Sequence, residues 1–159
     1  MIWVCRSGKH GKDYDEVRKF SDVFMGWDGY RLDLSGLINR EDFKELVIKE
    51  KNPAARTTIS NWAGQLYSFC REMQKGDFVL VPNLNAKEFL LARIVGDYRF
   101  EADRMYPHVR RIEVLKEGIS RSLFSQSTQY SLGAFRTVFK VRQEEEILTV
   151  AQINHEGDI

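Results

Sequence analysis

The feature that most constrains this chain is a helix that runs without slack into a strand. Asn61-Trp62-Ala63 opens it behind a capping Ser60, and Leu66, Phe69, Cys70 and Met73 recur at i, i+3, i+4 and i+7, the apolar stripe of an amphipathic helix. Lys75-Gly76-Asp77 ends it, since glycine is a natural helix terminator, and the apolar run Phe78-Val79-Leu80-Val81 starts at once. A second run, Phe89 to Val95, follows the turn-rich Pro82-Asn83-Leu84-Asn85, so the two predict a hairpin. Such a junction is expected in a pocket-bearing, small β-barrel.

The remaining elements fit that expectation. Ile2 to Arg6 reads as a first strand and Val23 to Trp27 as a second that ends at Asp28-Gly29, with a short helix over Asp13 to Phe20 between them. Asn39 caps a helix in which Phe43, Leu46, Val47 and Glu50 keep helical spacing, Asp42 lies near its positive end, and Pro53 stops it. Tyr98 to Pro107 is polar and irregular, Arg110 to Leu115 alternates as a strand, Ser120 to Phe124 can make one helical turn, and Phe135 to Val141 alternates as a last strand. The second half has almost no helix, so a parallel, doubly wound sheet, which needs regularly alternating strands and helices, fits poorly. The fold class is therefore α+β, a small curved or closed β-barrel with flanking helices, formed by residues 1–142 and followed by an acidic C-terminal tail, 143–159.

Charge separates those two parts. Residues 1–142 carry 24 Lys and Arg against 18 Asp and Glu, a net +6, while 143–159 hold only carboxylates, so the near-neutral total of +1 conceals a basic body. Arg6, Lys9 and Lys12 sit in an opening stretch without a carboxylate, and Arg99, Arg104, Arg110, Arg111, Lys116 and Arg121 outnumber the acids among them. A mixed solvated surface would also account for this. No run reaches the roughly 20 apolar residues of a membrane span, and Met1 to Val4 is too short for a signal-peptide core, so a cytoplasmic location and no membrane partner are expected. Cys5 and Cys70 lack metal-site spacing and are expected as buried free thiols.

Motifs for catalysis are wanting. Gly8-Lys9-His10-Gly11-Lys12 lacks the spacing of a phosphate loop and is followed by Asp13. Asp42-Phe43-Lys44 has the D-x-K form of a metal-dependent nuclease, but it lies in a helix-period segment with no upstream partner. No Ser-His-Asp or Cys-His arrangement can be assembled, and His10 and His108 are too isolated to form a metal site. The sequence calls for no catalytic residues, no metal and no cofactor.

The chain resembles the PUA-like superfamily, specifically its EVE and YTH branches and the related N-terminal readers of modification-dependent restriction systems. The resemblance rests on Ile2-Trp3-Val4-Cys5-Arg6-Ser7, where the EVE pattern has Lys before the Ser; on Asn61, Trp62, Ala63, Gly76 and Asp77; and on Ile94-Val95-Gly96 with Tyr106-Pro107. Met25-Gly26-Trp27 and Asp33-Leu34-Ser35 look more like the restriction-associated readers. It spans residues 2–141 and implies a pocket that accepts a modified base turned out of its nucleic acid, lined by Ser7, Asn61 and Trp62. It implies a non-catalytic module of phage defence or restriction-modification, with a nuclease or NTPase supplied by a partner or a larger parent chain.

Base-reading chemistry adds further candidates. Extruding a base costs on the order of a few kcal/mol, and stacking on an aromatic ring returns about 1–3 kcal/mol, so an aromatic cage from two of Trp3, Trp27, Trp62 and Tyr98 would offset base flipping. A buried methyl adds only about 0.8 kcal/mol, so selectivity needs polar groups on the base edge, for which Ser7, Asn61 and Asp97 are the candidates. Arg6, Lys9, Lys12, Arg104, His108, Arg110 and Arg111 are the expected phosphate contacts. Each has an ordinary alternative: the Trp residues as core, Asn61 as a helix cap, Ser7 and Asp97 as turn formers. DNA is the preferred ligand over RNA; an RNA reader of a methylated base and a peptide-binding interaction module are the alternatives.

Overall fold

The computed structural model describes residues 1–153. Its seven strands, β1 Ile2–Cys5, β2 Asp22–Phe24, β3 Phe78–Asn83, β4 Glu88–Ile94, β5 Arg99–Phe100, β6 His108–Ser120 and β7 Val138–Val141, form one mixed sheet. The order is β2-β6-β4-β3-β1-β7, with β5 also on β6; β1 and β3 are parallel and the other pairs antiparallel. Two register shifts between β4 and β6, around Leu91, place extra residues on β6 and bend it, curling the sheet into a half-barrel. The expected α+β curved sheet is what forms.

Period-2 alternation in the central strands divides the core. Trp3, Cys5, Val79, Val81, Leu90, Ala92 and Ile94 face one side, packed under α1 Tyr14–Phe20, α2 Arg40–Glu50 and α3 Arg56–Tyr67 through Val17, Phe43, Leu46, Val47, Ala63 and Leu66. Ile2, Val4, Phe78, Leu80, Phe89 and Leu91 face the other, packed with α4 Gln126–Leu132 and α5 Glu144–Val150 through Leu132, Ile147 and Leu148. Because both faces are covered, these strands read as unbroken apolar runs.

Several elements depart from expectation. α3 begins at Arg56, one turn before Ser60, with Ala55 as its uncapped N-terminal flank, so Asn61 lies inside the helix and is not its cap. After Tyr67 the helix widens to i→i+5 spacing over Ser68–Glu72 before breaking at Met73. Asn39 and Asp42 do form the capping box of α2, each side chain bonding the other's backbone N–H. Residues 144–150, expected as acidic tail, are a helix with Ile147 and Leu148 buried, its three glutamates in the first turn where the helix dipole favours them; residues 154–159 lie outside the described part. Cys5 is buried and Cys70 partly so, both free. Among the described residues no helix is long and apolar enough to cross a membrane.

Candidate functional site

Four segments converge at the seam where β1 and β2 end and β7 begins. Gly8 and Gly26 let the first two touch: a Cβ on Gly26 would stand 2.7 Å from both Cα and N of Gly8, and Gly8 itself has φ 75°. This approach delivers Trp27 and Tyr30 beside Arg6. The Arg6 backbone N–H donates to the Thr137 carbonyl at 2.8 Å, continuing the β1–β7 pairing beyond the strands. From α3, the buried Gln65 reaches across: its Oε1 accepts the Thr137 and Val138 backbone N–H groups at 2.9 and 3.1 Å, and its Nε2 donates to Asn61 Oδ1 at 2.7 Å.

The result is an open cavity of about 620 Å³, within the range of about 300–1,000 Å³ of small-molecule sites, walled by Trp27, Tyr30, Trp62, Asn61 and Thr137. The Trp27 and Trp62 ring centroids are 6.5 Å apart at 57°, and Trp27 lies 6.3 Å from Tyr30. The two indoles thus form a wedge. Trp27 is fixed by its Nε1–H donating to Thr137 Oγ1 at 2.8 Å, whereas the indole N–H of Trp62 makes no hydrogen bond among the described residues. Phe135 stands fully exposed at the rim.

Charge around the cavity is one-sided: Arg6, Lys9, Lys51 and Arg136 against Asp28. Lys51 Nζ lies 5.6 Å above the Tyr30 ring. The Tyr30 hydroxyl is buried without a hydrogen-bond partner, and burial, with Glu50 adding, pushes its pKa up to about 12. Arg6 donates from Nη2 to the Ala134 carbonyl at 2.8 Å while its Nε is buried and unpartnered, and burial lowers its pKa. Asn61 Oδ1 accepts from Gln65, which leaves its NH₂ as a donor and one oxygen lone pair for a ligand.

Of the residues singled out from sequence, Arg6, Lys9, Trp27, Asn61 and Trp62 meet on this wall. Ser7 lies beneath it, fully buried, its Oγ unpartnered and its carbonyl accepting the Asp13 N–H. Trp3 is completely buried in the core, its Nε1–H donating to Asp77 at 3.0 Å, and offers no face to a ligand. Asp97 and Tyr98 belong to a separate groove with Lys75 and Arg110: Asp97 is exposed and pairs with Lys75, and the Tyr98 hydroxyl bonds the Leu34 N–H and His108 Nδ1.

The expected phosphate contacts of the second half have internal partners. Arg104 and Arg111, with Arg99, surround the buried Asp22 at 2.6–3.2 Å. Arg110 is buried and donates to the carbonyls of Phe69, Met73 and Gly96, neutralising the negative end of the α3 segment. His108 is buried between Tyr98 and the Tyr30 carbonyl. Lys12 is exposed but is not part of the cavity wall.

Tyr30, Lys51, Gln65, Phe135, Arg136 and Thr137 were not legible as site residues. Tyr30 carried one signal, a large aromatic straight after the Asp28-Gly29 turn, and its φ of 52° is the non-glycine left-handed conformation of a shaped loop. No curated protein matches the sequence. A family model does match, over residues 3–142, a span that holds every strand pairing with β1 and every residue named on the cavity wall. The chain belongs to that family, described as a domain of unknown function (DUF8426).

Proposed function

We propose that this protein is a PUA-like, EVE-type domain that reads a modified base flipped out of nucleic acid, DNA in preference to RNA, and that it does so without catalysis as the recognition module of a restriction or defence system. The observation that carries the reading is the open aromatic cavity at the seam, with its predominantly cationic surround. A base stacked on one indole recovers about 1–3 kcal/mol, and contact with the second ring and Tyr30 adds to it, against an extrusion cost of a few kcal/mol. A methyl or hydroxymethyl group adds only about 0.8 kcal/mol per carbon buried, so discrimination falls to the polar edge, where Asn61 presents a donor.

The same charge argues against a methyl-lysine cage. A cationic ligand would meet Arg6, Lys9, Lys51 and Arg136 with Asp28 as the lone carboxylate on the wall, whereas an anionic strand meets four favourable charges.

The test is a titration with matched modified and unmodified oligonucleotides, single- and double-stranded, at two salt concentrations. Tighter binding of one modified oligonucleotide, lost in Trp27→Ala or Trp62→Ala variants that retain native melting, is the expected result. Equal affinity for every oligonucleotide, or selectivity unchanged by either substitution, rejects the reading.

A further inference from the structure

A second depression of about 990 Å³ lies between α3 and β7 and joins the aromatic cavity through three shared residues, Asn61, Gln65 and Arg136. Its cations outnumber its one acidic side chain, Glu72, which is already engaged by Lys140 at 2.6 Å and more distantly by Arg40 at 3.8 Å. Arg56, Arg136 and Arg142 are exposed and form no ion pair among the described residues. They contrast with Arg104, Arg110 and Arg111, whose guanidinium groups are held by Asp22 or by backbone carbonyls. Three uncompensated guanidinium groups along one groove make a surface for an extended polyanion, because each can bind a phosphate through two parallel N–H donors. The groove adjoins the aromatic cavity through those three shared residues, and a nucleic-acid strand combines a polyanionic backbone with planar rings.

Resting on the base-reading proposal, we infer that the α3–β7 groove carries the sugar-phosphate backbone of the strand whose base enters the aromatic cavity, with Arg56, Arg136 and Arg142 as its phosphate contacts. Binding then releases about one counterion per contact, and each contributes about 0.7–0.9 to the slope of log affinity against log salt.

The experiment compares wild type, the triple variant Arg56→Gln, Arg136→Gln, Arg142→Gln, a charge-matched control Lys19→Gln, Lys49→Gln, Arg121→Gln, and Trp62→Ala. Fluorescence anisotropy with a labelled oligo-dT and with the modified oligonucleotides is recorded over a salt series, with circular dichroism confirming each fold. The triple variant is expected to lose about 2–3 from the salt slope on every oligonucleotide, while the control keeps it. Trp62→Ala is expected to lose the modified-base preference and keep the slope. A triple variant with an unchanged slope overturns the groove, whether or not the base preference survives. A reduced slope in a protein that never prefers a modified base upholds the groove and refutes the reader instead. Poly-glutamate displacing the oligonucleotide at equal charge concentration assigns the groove to an acidic peptide and overturns the inference.

Discussion

Replacing Gln65 by Leu tests how the seam is held. The side chain is buried, and its Oε1 is the acceptor for two backbone donors, Thr137 N–H and Val138 N–H, at 2.9 and 3.1 Å. Leucine fits the volume but strands both. A buried donor without an acceptor costs about 1–3 kcal/mol; Val138 N–H is fully buried and takes the upper part of that range, Thr137 N–H is partly exposed and takes the lower. The extra apolar burial returns about 1–2 kcal/mol, which leaves a net destabilisation of about 1–4 kcal/mol. For a chain of this size that is a melting-temperature drop of about 2–16 °C. Urea melts of wild type, Gln65→Leu and Gln65→Glu check it, because the glutamate still accepts both N–H groups and is expected to lose less than the leucine. A Gln65→Leu protein within about 0.5 kcal/mol of wild type would refute the reasoning, since those N–H groups would then have other partners and β7 would not depend on α3.

Gly26→Ala places a Cβ 2.7 Å from Gly8 backbone atoms, a clash no rotamer relieves, so a loss of about 1–3 kcal/mol is expected in denaturant melts and native stability would contradict the close approach. Gly8→Ala is also expected to destabilise, chiefly through its backbone, since φ 75° with ψ 177° is a conformation that side chains beyond glycine resist, while Asp13 Oδ2, 2.1 Å from the added Cβ, is the tip of a side chain that can swing away. His108 has its pKa lowered by burial, and also by Arg31, with the Tyr30 carbonyl and Asp33 opposing. The unfolded chain therefore takes up the proton first as pH falls below about 6.5, and folding stability declines from there until the native imidazole titrates. Asp33, held low by the Ser35 N–H, and Glu146, by the Ser125 N–H, titrate further down, so Gln at position 108 should flatten the melt-derived stability between pH 7.5 and 5.5, and an unaltered slope would remove His108 as its source.

How much of this was legible in the sequence depends on which faces each element buries. β1, β3 and β4 were readable as strands because both faces are covered and their central residues, Ile2 to Cys5, Phe78 to Val81 and Phe89 to Ala92, are apolar without a break, and α2 because Asn39 and Asp42 cap it. α5 was hidden by its own Glu144-Glu145-Glu146, which read as tail charge although Ile147, Leu148 and Ala151 follow at helical spacing. Arg110 was mistaken for a surface cation, yet it shares the parity of the buried Ile112 in β6, and a charge in phase with core positions is one the fold must satisfy internally. Trp3 shares the parity of Cys5 on the face covered by the helices, which seals it, whereas Trp27 and Trp62 lie on a loop and on the flank of a helix. Gln65 gave no signal because its partners are backbone groups more than 70 residues away.

The covered sheet also explains why the cavity sits where it does. With helices on both faces, Trp27 and Trp62 come together at the seam, and there the two indoles differ: Trp27 is tethered to Thr137 Oγ1, Trp62 is not. If the site works as a wedge with one fixed wall, its selectivity depends on that tether as well as on the rings. Thr137→Val keeps the shape and the β7 backbone but removes the acceptor, forfeiting a hydrogen bond worth about 0.5–1.5 kcal/mol. The expected outcome is a two- to tenfold loss of preference for the modified oligonucleotide, with a blue-shifted or broadened Trp27 emission and a salt slope equal to wild type. A Thr137→Val protein with full selectivity would mean that the ring pair tolerates reorientation of Trp27, and the fixed wall would lose its place in recognition.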